Sequence, residues 1–118
     1  MSITTEHKNN FFFVRVTSDL LSHCDGDAIK GVLLQALATG TKDIVLSVSV
    51  GTLSNRHSIA RLLRLCREVV RSGNGHLYCV ERNHEEKRVY EGLCDSLKIP
   101  LYDSEEKVGP VVFSPVMA

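Results

Sequence analysis

The chain has 118 residues, enough for one domain with one core and no need of a metal or disulfide staple. Hydrophobic residues make up 43% and charged residues 24%, and fourteen Lys plus Arg balance fourteen Asp plus Glu to a net charge of +0. That balance excludes a whole-protein electrostatic grip on nucleic acid or anionic lipid, and every apolar run is far shorter than the ~20 residues of a membrane helix.

Phe11-Phe12-Phe13-Val14-Arg15-Val16 is aromatic and β-branched and predicts a strand. Lys8-Asn9-Asn10 can turn, so Ile3 to Glu6 is expected to pair with that strand as an edge hairpin. Strand side chains alternate between faces, which leaves room for one of the three phenylalanine rings at an edge or an interface. From Asp27 the apolar residues Ala28, Ile29, Val32, Leu33, Ala36 and Leu37 recur at helical spacing, with Asp25 as the expected cap and Gly40 as the left-handed exit. Ile44 to Val50 is nearly continuous in β-branched residues and predicts a central strand. A second helix is expected from about Arg56 to Ser72, stopped by Gly73, with Ile59, Leu62, Leu63, Cys66, Val69 and Val70 facing the core.

Leu77-Tyr78-Cys79-Val80 reads as another buried strand. Asn83 and Glu86 form a capping-box pattern for a third helix that is expected to bury Val89, Leu93 and Leu97. Ile99-Pro100-Leu101-Tyr102 reads as a short edge strand, and Ser104 to Lys107 as one more helical turn. The order β-β-α-β-α-β-α-β predicts an α/β domain with a mixed, mostly parallel β-sheet and helices packed against it through right-handed crossovers. No linker divides residues 1–118, so a single domain is expected, with a core over about 3–108 and a tail over 109–118.

Chemistry is expected where the central strand ends and the second helix begins, because open α/β sheets place their sites at the carboxyl ends of strands. A helix start also presents unpaired N–H groups and the positive end of a dipole, which suit an anion or a phosphate on a nearby serine. Ser54, Asn55, Arg56, His57 and Ser58 occupy that position, with Ser54 or Asn55 as the plain helix cap in the simplest reading. The exposed arc of the second helix then holds Arg56, Arg61, Arg64, Arg67 and Arg71, relieved only by Glu68. Five arginines and no lysine form a biased choice. Guanidinium groups bind carboxylates bidentately, so an acidic protein surface is the expected partner; without interleaved aromatic residues, direct nucleic-acid binding is not.

The segment from Lys42 to Val80, with its frame IVLSVSVGTLSNRHSIARLLRLCREVVRSGNGHLYCV, is similar to the STAS domain, the fold of bacterial anti-sigma factor antagonists. In that family a strand ending in a D-L-S type motif leads to D-S-S-G, an apolar helix and a buried strand. The resemblance extends over roughly Ile3 to Val108, with Ser18-Asp19-Leu20-Leu21 falling where the family often has G-E-L-D. The site departs from the family's pattern. Asn55 stands at the acidic residue, Arg56 at the phosphoacceptor serine, His57 and Ser58 at the second serine and the glycine, and Ser47 at the acidic residue on the strand. An arginine cannot accept phosphate from a serine kinase and carries the opposite charge, so the chain is expected to be an unphosphorylatable or differently controlled relative.

The resemblance implies a non-catalytic, cytoplasmic interaction domain of bacterial signalling and transcription regulation, whose partner is an anti-sigma factor or a related serine kinase. Ser54 to Ser58 would form the docking loop, with Arg61 and Arg64 widening the surface. An alternative keeps the fold as an accessory subunit beside a transporter ATPase or permease, without membrane insertion of its own. A minor alternative is a small enzyme using His57. No cofactor is expected. Cys24, Cys66, Cys79 and Cys94 lack metal-ligand spacing and read as core residues, and His7, His23, His57, His76 and His84 form no ligand pair.

Overall fold

The computed structural model describes residues 2–8, 10–18, 23–50, 56–81 and 87–108. Strand β1 (Ser2–Lys8) runs into β2 (Phe11–Ser18) through a tight hairpin in which Lys8 pairs with Phe11, and Asn10 takes the left-handed φ of 69° that such a turn needs. Helix α1 (His23–Ala38), strand β3 (Asp43–Val50), helix α2 (Arg56–Ser72), strand β4 (His76–Glu81), helix α3 (Lys87–Leu97) and strand β5 (Leu101–Tyr102) follow in alternation. One further helical turn spans residues 105–108. The five strands lie in sequence order; β1 is antiparallel to β2 and every other pairing is parallel.

The strand alternation divides the sheet into two faces. On one, Phe12, Val14 and Val16 of β2 align with Ile44, Leu46 and Val48 of β3, and the three helices pack over them. All six α2 residues expected in the core are buried there. The α3 register differs from the expectation by one position: Tyr90 and Cys94 are fully buried, while Val89, Leu93 and Leu97 flank them half-exposed. Periodicity sees a stripe as wide as 100°, and the neighbouring sheet decides which edge of that stripe goes deepest.

Phe11, Phe13, Val45 and Val80 form the opposite face, with Val108 of the last helical turn packed among them. All three phenylalanines are therefore buried, at 2%, 9% and 3% exposure, and none is left at an interface. Phe11 meets Tyr78 edge-on with ring centroids 5.5 Å apart. Arg15, lying 5.5 Å over the Phe13 ring, clips the last turn to the sheet: Nε donates to Glu105 at 2.9 and 3.1 Å, and Nη2 donates to Glu105 and to Glu6, each at 2.7 Å. The carboxylates hold the guanidinium proton more tightly than usual, Glu105 through its hydrogen bonds first.

Helices α1, α2 and α3 leave by the same device, a residue with positive φ followed by a return hydrogen bond to a carbonyl of the last turn. Gly40 (φ 94°) does this for α1, where Thr41 N donates to Ala36 O at 3.3 Å. Asn74 rather than Gly73 carries the left-handed φ after α2. Gly75 is required next to it, because a Cβ there would lie 2.7 Å from the Lys42 carbonyl. Two boundaries differ from expectation. Helix α1 starts at His23, so Asp25 lies inside it rather than at its cap, and β5 is confined to Leu101–Tyr102, after Pro100. The expected cap of α3, Asn83 with Glu86, and the 109–118 tail lie outside the described residues.

Candidate partner-binding site

Strand β3 sits at the centre of the sheet and ends at Val50; α2 begins at Arg56 and crosses back over the helical face. Ser54 and Asn55 lie outside the described residues. Arg56 and His57 are exposed at the first turn of α2, and Ser58 is half-buried beside them. That first turn holds no acidic residue. A cation at the positive end of a helix dipole is unfavourable by roughly 0.3–1 kcal/mol, so Arg56 stands where helix stability would favour an acid. The helix bears this cost because its six buried apolar residues anchor it independently of its N-terminal electrostatics.

Arg61, Arg64 and Arg71 continue along the same side and are exposed, while Arg67 is half-buried. Every fully exposed residue of α2 is polar or charged, and Glu68 is the one acid among them. The structure thus carries a ridge of guanidinium groups running from the helix start at the carboxyl end of β3, on a chain with no net charge. Such a ridge offers bidentate sites for carboxylates. Ser47 lies elsewhere. It is fully buried on the opposite sheet face, paired across the ladder with Arg15, and its hydroxyl finds no hydrogen-bond partner among the described residues.

Among the described residues, no three His, Cys, Asp or Glu side chains are grouped to hold a metal, and no helix is long and apolar enough to cross a membrane. Sequence reasoning missed a pocket of about 450 Å³ between α3, β5 and the end of β4. Glu81, Glu91, Asp95 and Asp103 give it an acidic lining, Ile99 and Leu101 an apolar one, and Cys94 forms part of its wall. These residues are dispersed along the chain, and no local motif announces them.

No family model matches the sequence, and no curated protein matches it either. Solved structures do. The unphosphorylated anti-sigma factor antagonist SpoIIAA superposes with a TM-score of 0.61 at 13% identity, covering 99% of this chain and 99% of that one. SpoIIAA in its phosphorylated form, a Bacillus cell fate determinant, gives 0.61 at 14% identity over 93% of this chain and 99% of that one. The chain therefore has the STAS-like α/β fold that its sequence resembles.

Proposed function

We propose that this STAS-like domain is a non-catalytic interaction module that docks an anti-sigma factor or a related serine kinase, through residues Ser54 to Ser58 and the arginine ridge of α2. The observation that carries the reading is Arg56. It sits at the start of α2, at the place where the family resemblance puts the phosphoacceptor, and it is exposed in a first turn without acids. The fold likeness to SpoIIAA, a protein whose solved forms include a phosphorylated one, supports the choice of partner class.

Arg56 replaces a hydroxyl that could gain negative charge with a permanent cation, so association would not be gated by phosphate at that position. Asn55 would cap the helix, Arg56 would contact the partner, and Arg61 and Arg64 would extend the contact toward acidic residues on it. The test is affinity capture from lysate of the source cells with wild-type and Arg56→Glu baits, read by mass spectrometry. Recovery of an anti-sigma factor or serine kinase by the wild type and its loss with Arg56→Glu is the expected result. Recovery of transporter ATPase subunits instead, or phosphate found on Ser54 or Ser58 in the native protein, would overturn the reading.

A further inference from the structure

The five-stranded sheet ends on β1 at one side and on β5 at the other. Strand β5 is two residues long and follows Pro100, which leaves little edge to pair with. Strand β1 is different. It runs for seven residues in one unbroken register with β2, from Ser2↔Thr17 to Lys8↔Phe11, and contains neither proline nor bulge. Lys8 and Phe11 flank a two-residue turn and so form a hydrogen-bonded pair, and bonded and non-bonded pairs alternate along an antiparallel ladder. Lys8, Glu6 and Thr4 therefore direct their backbone N–H and C=O groups at β2. Those of His7, Thr5 and Ile3, opposite Phe12, Val14 and Val16, point outward from the edge of the sheet.

We propose that this edge is a self-association surface, on which β1 of a second copy of the chain pairs antiparallel about a two-fold axis at Thr5. Thr5 then meets the partner's Thr5, Ile3 meets the partner's His7, and His7 meets the partner's Ile3. Every outward backbone group of these residues is satisfied by the two hydrogen bonds of each close pair. Directly opposed residues share a face, so the helices of both copies lie on the same side of one continuous sheet. Helix α2 follows β3, two strands in from this edge, and its arginine ridge stays outside the contact.

The side chains select this occupant and this register. Exposed Thr5 faces its own copy, a favourable cross-strand pair. The His7 ring is held against Phe12, with centroids 4.6 Å apart, and offers an ordered flank to the partner's Ile3, which is half-buried on the same face. On the opposite face Glu6, already bound to Arg15 at 2.7 Å, lies beside the partner's Thr4, whose hydroxyl can donate to the carboxylate. Sliding the strands by one pair in one direction sets Glu6 against the partner's Glu6 and drops Ile3 from the ladder. Sliding them the other way drops His7. The strand thus complements itself best where all its outward groups are used. With a net charge of +0, two copies also meet no long-range repulsion. The contact is small against a standard interface, so association is weak and depends on concentration.

The test is sedimentation equilibrium of the full chain up to about 1 mM, the range in which so small a contact associates. The wild-type mass should rise with concentration from 13.1 kDa toward twice that value. Residue 5 faces its own copy in this register alone, so Thr5→Lys and Thr5→Glu each set like charges opposite one another. Each variant, folded by circular dichroism, should stay monomeric, and their equimolar mixture should recover the dimer. Amide exchange followed by NMR gives a second readout on the wild type. With rising concentration the amides of Ile3, Thr5 and His7 should gain protection, while those of Thr4 and Glu6 are protected throughout. A wild type that stays monomeric, or protection at Ile3, Thr5 and His7 that ignores concentration, would overturn the proposal. So would a dimer that persists in Thr5→Lys, or a mixture that remains monomeric.

Discussion

The Arg15–Glu105 clamp is the contact that holds the last helical turn over the second sheet face, and its removal has a calculable cost. Arg15→Met keeps an apolar stem over the Phe13 ring and deletes the guanidinium. The fork to Glu105 comprises three donor–acceptor distances of 2.7, 2.9 and 3.1 Å, with side chains only 26% and 20% exposed. A charge-assisted bidentate pair in that half-buried setting contributes about 1.5 kcal/mol after solvent screening. The bond to Glu6, itself 49% exposed, adds about 0.5 kcal/mol at most. The substitution should therefore cost about 2 kcal/mol in urea unfolding and lower Tm by roughly 8 °C. In a double-mutant cycle with Glu105→Gln, about 1.5 kcal/mol should appear as coupling, and high salt should reduce it. A coupling under about 0.3 kcal/mol would refute the reasoning.

Three other substitutions test separate parts of the account. Ser47→Ala removes a fully buried hydroxyl with no hydrogen-bond partner among the described residues, so it should raise stability by about 1 kcal/mol; a loss of that size would reveal a partner for the hydroxyl. Lys98 ends α3 at φ 59°, a conformation glycine adopts without strain, and Lys98→Gly should raise the urea midpoint by the equivalent of about 0.5–1 kcal/mol. The Cys66 thiol, ordinarily near 9, is pushed up to about 12 by burial. The folded state thus holds its proton more tightly than the unfolded one: stability is intact below pH 9 and is lost as pH rises from 9 toward 12, by about 1.4 kcal/mol per pH unit from this group. Cys66→Ala should lower stability at neutral pH through the cavity it leaves, yet flatten the alkaline loss measured as Tm against pH.

The fold was legible wherever the signal was local. The six apolar positions of α2, the hairpin at Asn10 and the alternation of strands with helices all follow from residues close in sequence. The one-position rotation of α3 was not, because burial of Tyr90 and Cys94 depends on the β4 surface beneath them. The fate of the three phenylalanines was closed to sequence reading for the same reason: Phe11 and Phe13 are covered on a face that includes Val108, far along the chain. No local signal marks the role of Arg15, because its partner Glu105 is 90 residues away. At the candidate site, the arginine composition of α2 was readable directly, and the structure places Arg56, Arg61 and Arg64 on its exposed side. The acidic pocket was not, since Glu81, Glu91, Asp95 and Asp103 come together only where α3 and β5 meet the end of β4.

The arginine ridge as a docking surface is the central claim, and one titration tests it most directly. The anti-sigma factor or serine kinase captured from the source cells is titrated calorimetrically into the wild type, Arg56→Glu, Arg64→Glu and, as a control at the end of α3, Lys98→Glu. The account predicts that each arginine reversal weakens binding by about tenfold or more, that added salt weakens the wild-type complex, and that Lys98→Glu binds as the wild type does. Equal affinity for all four proteins would place the interface elsewhere and contradict the account.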